Sequence, residues 1–174
     1  NGAMLYTPQT GATRVLTEPP PEAFVAELRR LGVANLSVGR TIVATVHPYE
    51  REVLDTIRNL GLEWHVIFNK GSVMALPSGV TKATGLAPAL ADLGLPPERV
   101  VGVGDAENDH AFLTLCGCAV AVANALPAVK ERADLVTTGA RGAGVAELID
   151  RLLTDDLHGI GRATAFSVPH PQKA

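Results

Sequence analysis

The sequence predicts an α/β protein in which an open parallel sheet carries an inserted segment built from two αββ units. Three observations lead there. From residue 77 onward, short apolar runs alternate with helical stretches in the rhythm of βαβ units. Two of those runs, Val100–Gly104 and Ala119–Ala123, are wholly apolar, as strands covered on both faces of a parallel sheet are. Between residues 17 and 76, a helix followed by a hairpin occurs twice at an offset of 29, with Pro19, Arg29, Leu31 and Gly32 matched by Pro48, Arg58, Leu60 and Gly61.

In chain order, Ala3–Thr7 and Ala12–Leu16 flank the turn residues Pro8–Gly11 and read as a hairpin. Pro19–Pro21 then open a helix with Phe24, Leu28 and Leu31 on one stripe, and Gly32 ends it. The second copy places Val53, Ile57 and Leu60 on the same stripe and stops at Gly61. Each helix precedes a β-rich stretch with a turn in it, Asn35–Val46 around Gly39-Arg40 and Trp64–Leu76 around Asn69-Lys70-Gly71. One small sheet with both helices on one face is the natural packing. Beyond it come a helix at Lys82–Leu93, the strand Val100–Gly104, a helix at about Asp109–Leu115 and the strand Ala119–Ala123. A short helix Pro127–Arg132, a strand Asp134–Thr137 and a helix Ala143–Leu153 follow. The expected division is a residual hairpin at 1–16, the insert at 17–76, the core at 77–155 and a tail or linker at 156–174.

Composition narrows the partners. The chain has 174 residues, 47% of them apolar and 19% charged, which supports a real core and excludes wholesale disorder. Lys and Arg number 15 against 18 Asp and Glu, so no basic excess points to nucleic acid or an anionic membrane. The apolar runs fall far short of the ~20 residues of a membrane span, and no secretory leader is visible in these residues. Cys116 and Cys118 cannot build a disulfide framework, so a reducing cytoplasm is expected.

The chemistry concentrates at Gly104-Asp105-Ala106-Glu107-Asn108-Asp109. A buried strand delivers Asp105, a short loop follows, and Asp109 begins the next helix. In open α/β sheets, ligands sit beyond such carboxyl strand ends. Two carboxylates and an amide converging there suit Mg²⁺, a hard cation that also keeps waters and binds phosphate. The plain alternatives are a helix cap for Asp109 and a turn role for Asp105. Lys82 opens a helix, where the dipole prefers an acid; it is either held there for an anion or simply solvated.

Gly79-Val80-Thr81-Lys82-Ala83-Thr84-Gly85-Leu86, followed by Gly104 to Asp109, resembles motifs III and IV of the haloacid dehalogenase (HAD) superfamily. The closer resemblance is to its Cof-like and sucrose-phosphatase-like branch, whose motif IV reads GDxxND. Ala123-Asn124-Ala125 and Asn1-Gly2-Ala3 resemble two further stretches of that branch, and the αββαββ insert is similar to its cap. The resemblance covers about residues 1–155. It implies a phosphomonoesterase working through an aspartyl-phosphate with Mg²⁺. Asp105 is then a metal ligand, Asn108 and Asp109 complete or orient that shell, Lys82 binds phosphate and the nucleophile, and Asn124 lines the pocket. By the same resemblance, hairpin turns of the cap overhang the site, where Lys70 or Arg40 would meet an anionic substrate, a small phosphorylated metabolite.

The chain departs from the family pattern in one decisive way. Motif I, Asp-x-Asp-x-Thr, and motif II are absent. The aspartates stand at 55, 92, 105, 109, 134, 150, 155 and 156, with no Asp-x-Asp pair. The expectation is a C-terminal part of a longer phosphatase, inactive alone, whose Val100–Gly104 edge is paired by the missing N-terminal segment or by a second copy. The alternative is a regulatory module that binds Mg²⁺ and phosphate without turnover. A cation-pump phosphorylation domain shares a similar element, but the αββ insert and the lack of spans argue against it. Cys116-Gly117-Cys118 offers too few zinc ligands and reads as two thiols beside a core strand. The glycines at 139, 142 and 144 fit no nucleotide fingerprint and read as a turn into the last helix.

Overall fold

The computed structural model describes residues 1–160 apart from Lys70. The chain divides into two compact units, Asn1–Leu86 and Ala87–Ala174.

The first unit opens with a hairpin, β1 (Met4–Thr7) antiparallel to β2 (Ala12–Val15). The duplicated segment follows as α1 (Glu22–Arg30), β3 (Ser37–Val38), β4 (Val43–Val46), α2 (Glu50–Asn59), β5 (Trp64–Asn69) and β6 (Ser72–Pro77). Its four strands form one antiparallel sheet in the order β3-β4-β6-β5. Phe24, Val25 and Leu28 of α1 and Val53 and Ile57 of α2 pack on Val43, Val73 and Ala75 of that sheet. Trp64 joins them with its ring 5.2 Å from that of Phe24.

The duplication extends to the way both helices end. Gly32 and Gly61 take left-handed φ values of +72° and +62°, which glycine adopts without the Cβ penalty. In the first copy the N–H of Gly32 donates to Arg29 and that of Val33 to Leu28. In the second, Gly61 donates to Arg58 and Leu62 to Ile57. Both are Schellman closures. This geometry corrects one expectation. Leu31 and Leu60 are C-cap residues, 41% and 40% exposed, rather than core. The chain reverses at the glycine, so Val33 and Leu62 take the third apolar place against the core instead.

Helix α3 (Lys82–Leu93) runs from the first unit into the second. The second unit then has β7 (Val101–Gly104), α4 (His110–Leu115), β8 (Cys118–Ala121), α5 (Pro127–Lys130), β9 (Leu135–Val136) and α6 (Arg141–Asp155). Its strands are parallel in the order β7-β8-β9. Every residue of β8 is buried, as expected for the middle strand. Ala119 and Ala121 face a cluster with Leu113 and Val129, and Val120 faces one with Leu148. The last helix begins two residues earlier than expected, at Arg141. Residues 156–160 also differ from a tail: Leu157 is 8% exposed and packs with Val120 and Leu148. Asp156 turns left-handed after α6, which directs Leu157 back onto the sheet.

Candidate active site

At the carboxyl end of β7, glycine spacing sets the geometry. A Cβ on Gly102 would lie 2.8 Å from Cys116 Sγ and 3.1 Å from the Phe112 ring, so α4 packs directly on the strand backbone. A Cβ on Gly104 would lie 2.7 Å from the Asp109 Cβ and 2.8 Å from its Oδ2. The missing side chain at Gly104 is therefore the seat of the Asp109 carboxylate. Asp109 is 3% exposed, and its Oδ2 accepts the N–H of Asp105 at 2.8 Å and of Ala106 at 3.1 Å. A buried carboxylate gains from two such charge-assisted bonds. Through them it fixes the loop that presents Asp105, which is exposed at the strand end. Asn108 is half-buried in the helical turn Glu107–Asp109 between them.

Neighbouring loops lock to the same strand end. Leu126 N–H donates to the Asp105 carbonyl at 3.0 Å, and Val122 N–H to that of Gly104 at 3.3 Å. Asn124 is exposed, and its Oδ1 accepts the N–H of Arg141 at 2.6 Å. That bond holds Arg141 in a left-handed conformation, φ +52°, at the start of α6. Asn124 thus braces two loops with its carbonyl, which leaves its amide NH₂ as the group able to meet a ligand. Glu147 on α6 reaches back nine residues to accept the N–H and hydroxyl of Thr138 and the N–H of Gly139. These bonds hold its carboxyl below the ordinary glutamate range, Gly139 first among the causes. The Cys116 thiol is pushed up by burial and then by Cys118, so it is the protonated, unreactive form that sits behind β7.

In the first unit, Lys82 is the first residue of α3 and half-buried. The turn before it is closed reciprocally: Thr84 N–H donates to Thr81 Oγ1 at 3.2 Å, and Thr81 N–H to Thr84 Oγ1 at 2.9 Å. This is a capping box with threonine in place of the usual acid. Asn1-Gly2-Ala3 lies against that turn. A Cβ on Gly2 would fall 1.9 Å from the Thr81 carbonyl oxygen.

Arg40 is exposed in the turn between β3 and β4. That turn lies at the Ala75 end of β6, the end leading toward Lys82, whereas Asn69 of β5 pairs with Ser72 at the opposite end. Lys70 lies outside the described residues. The bracing roles of Gly104 and Glu147, and the close approach of Gly85 to Gly2, where a Cβ would fall 2.3 Å from the Gly2 Cα, are not visible in the sequence. Thr81-x-x-Thr84 is open to detection as a capping pattern, but Glu147 and Gly85 act on residues that no local pattern connects to them.

The residues at β7 suit a cation that takes few protein ligands. Among the described residues, no three His, Cys, Asp or Glu side chains come together as a metal cluster. Mg²⁺ does not require one, because one or two carboxylates, waters and a substrate phosphate complete its shell. The oxygen donors of Asp105 and the Asn108 amide fit a hard cation of that kind rather than a soft, thiolate- or imidazole-seeking metal.

Residues 42–149 match the haloacid dehalogenase-like hydrolase family, and this chain belongs to it. It is 36% identical over 118 residues to phosphoglycolate phosphatase 2 of Saccharolobus solfataricus, covering 68% of this chain and 49% of that protein. It is 30% identical over 172 residues to the phosphoglycolate phosphatase of Natronomonas pharaonis, covering 87% and 70%. The fold is likewise that of a haloacid dehalogenase-like hydrolase from Bacteroides thetaiotaomicron, with a TM-score of 0.70, 19% identity and coverage of 87% and 74%. The chain spans about half the length of the first curated relative it matches. No described helix is long and apolar enough to cross a membrane.

Proposed function

We propose that this chain is the phosphate- and Mg²⁺-binding part of a HAD phosphatase acting on a small phosphorylated metabolite. The carrying observation is the loop at β7. A buried Asp109 carboxylate is used to hold the backbone, and it leaves Asp105 displayed at the end of a parallel strand. The arrangement holds the loop closed and thereby fixes the position of one carboxylate.

Asp105 is the metal ligand in this reading, with Asn108 beside it and Asp109 orienting the loop. Mg²⁺, when bound, neutralises phosphate charge and polarises the phosphoryl group. Lys82 holds phosphate oxygens through its ammonium, and the Thr81–Thr84 box fixes where that ammonium starts. Asn124 offers its NH₂ to the substrate, and Arg40 and Lys70 are secondary contacts for an anionic metabolite. The attacking aspartate and the acid–base aspartate come from residues outside these 174, because none of the aspartates here forms an Asp-x-Asp pair. Among the described strands, β7 stands at one edge of its sheet. A strand bearing the nucleophile covers that edge in our reading, and a second copy is the other occupant to distinguish by mass. Two free cysteines fit a cytoplasmic setting.

The test is an assay of the purified chain with a generic phosphate ester and Mg²⁺, alongside calorimetry with inorganic phosphate. The chain should bind phosphate in a Mg²⁺- and Lys82-dependent way without turnover. Robust turnover by the chain alone would overturn the assignment of the nucleophile, and loss of all phosphate binding would overturn the function.

A further inference from the structure

Helix α6 starts without a cap of its own. The first N–H groups of a helix have no partner inside it, and Ala140, at the N-cap position, makes no side-chain cap bond. The N–H of Arg141 is taken instead by Asn124 Oδ1, from a loop 17 residues earlier in the chain. Because that N–H is a donor, the amide oxygen of Asn124 must face it, and the amide NH₂ must face away.

The helix in turn holds the loop that holds Asn124. A Cβ on Gly144 would lie 2.3 Å from the Gly139 carbonyl oxygen and 2.4 Å from Thr137 Oγ1, so α6 is seated directly on residues 137–139. Glu147 stands three residues further along the same helix face. Its Oε2 accepts the N–H of Gly139 at 2.8 Å and that of Thr138 at 2.9 Å. The Gly139 carbonyl accepts the N–H of Ala123 at 3.0 Å and the Thr137 hydroxyl at 2.8 Å. Gly139 is thus gripped by Glu147 on one side and by the residue before Asn124 on the other. A second link runs from Arg141 back to the Asn124 side chain. Two residues beyond, Leu126 N–H donates to the Asp105 carbonyl. Backbone and side chain of Asn124 are therefore both fixed, next to the strand end that displays Asp105. An aspartate would cap a helix as well as an asparagine, but only the amide keeps a donor once its oxygen is used.

Resting on the phosphatase reading above, we propose that Glu147 is a positioning residue for phosphate binding, acting through the 138–141 loop to hold the Asn124 NH₂ as a donor to the phosphate. Glu147 touches no substrate. Its carboxylate fixes the loop, the loop occupies the Asn124 oxygen, and only the donor side of the amide is left for an anion. With the clamp released, the amide turns freely and spends part of its time offering an oxygen that a phosphate repels.

Calorimetry on the 174-residue chain at saturating Mg²⁺, with inorganic phosphate as the probe, tests this alongside thermal melts. Asn124→Asp keeps the acceptor for Arg141 N–H, so it should melt close to the unsubstituted chain, above Asn124→Ala. Its phosphate affinity should nevertheless be the lowest of the three, because a charged oxygen replaces the donor. Glu147→Ala should weaken phosphate binding by about tenfold, the scale of one hydrogen bond to a charged group. Glu147→Gln, which keeps an acceptor for the loop, should retain most of the affinity. Added to Asn124→Ala, Glu147→Ala should cost no further affinity, since its effect passes through that amide. A dispersed amide spectrum shows that each variant is folded, and Glu147→Asp, a milder shortening, replaces the alanine variant where it does not fold. If the Glu147 variants lower the melt and leave the affinity unchanged, or if the double variant is additive, Glu147 only braces the fold and the inference is overturned. Full affinity in Asn124→Asp would overturn it as well, with phosphate binding by Lys82 intact. If the unsubstituted chain binds no phosphate, or if Lys82→Ala leaves binding unchanged, the phosphatase reading itself fails and the inference falls with it.

Discussion

A Cβ on Gly85 would fall 2.3 Å from the Cα of Gly2. The α3 backbone at Gly85 and the backbone at Gly2 therefore touch with no side chain between them, three residues beyond Lys82. Helix propensity alone would have Gly85→Ala stabilise the protein by about 0.5–1 kcal/mol. The contact is to backbone, which cannot swing aside, so the sign reverses. The substitution should destabilise the first unit by about 1–3 kcal/mol, the usual scale of overpacking. Trp64 is the one tryptophan of the chain and packs against that unit's core, so its fluorescence in a urea titration reads the change. A midpoint that stays put or rises would show that the two backbones are not in contact.

Asp105 and Asp109 look alike in sequence and should behave oppositely when removed. Asp109→Ala leaves the N–H groups of Asp105 and Ala106 without their acceptor and opens a gap beside Gly104. A loss of about 1–3 kcal/mol is expected. Asp105→Ala removes an exposed carboxylate, so stability should stay within about 0.5 kcal/mol, while Mg²⁺-dependent phosphate binding disappears. Thermal melts paired with calorimetry separate the two effects. Equal destabilisation by both variants would contradict the division of labour.

That division marks the limit of what the sequence made legible. The order of elements, the duplicated αββ unit and the start of α3 at Lys82 all follow from periodicity, glycine stops and proline breaks. These are local signals, and the structure keeps them. The site is legible only as a cluster of residue types. Whether an aspartate faces solvent or its own backbone depends on Gly104, whose role appears only once the loop has closed. Leu31 and Leu60 continue a helical stripe in sequence, yet a Schellman turn moves the buried position two residues on, to Val33 and Leu62. Gly2 and Gly85 belong to opposite ends of the first unit's sequence, and nothing near either one announces the other.

Glu147 gives the second unit a pH-dependent element. Its carboxylate accepts from Thr138 and Gly139, and its folded-state pKa lies below the ordinary value. A group of that kind contributes stability above its unfolded pKa, about 4.3 for glutamate, and loses it as the pH falls through the lower folded value. Acid should therefore loosen the 138–141 loop, which also holds Arg141 on Asn124. Glu147→Gln keeps an acceptor but does not titrate in this range, so its stability should depend less steeply on pH below about 4.3. Amide exchange at Thr138 and Gly139, followed from about pH 6 to about pH 3 so as to bracket the glutamate range, checks this. Identical exchange profiles for the two proteins would remove Glu147 from the account.

The duplicated helix ends allow a comparison inside one molecule. Gly32 and Gly61 have the same closure, and a Cβ placed on either would meet nothing within 4 Å. Alanine therefore meets no clash, and its cost is the left-handed conformation alone, about 1–2 kcal/mol. Gly32→Ala and Gly61→Ala should each lower the stability of the first unit by that amount, as read by Trp64 fluorescence. They are far apart in sequence and terminate different helices, so the double variant should lose close to the sum. A cost confined to one glycine would mean that the two closures differ energetically despite matching hydrogen bonds. A double variant well below the sum would mean that one turn already relaxes when the other is strained, which the shared core of Leu28, Val33, Ile57 and Leu62 would have to transmit.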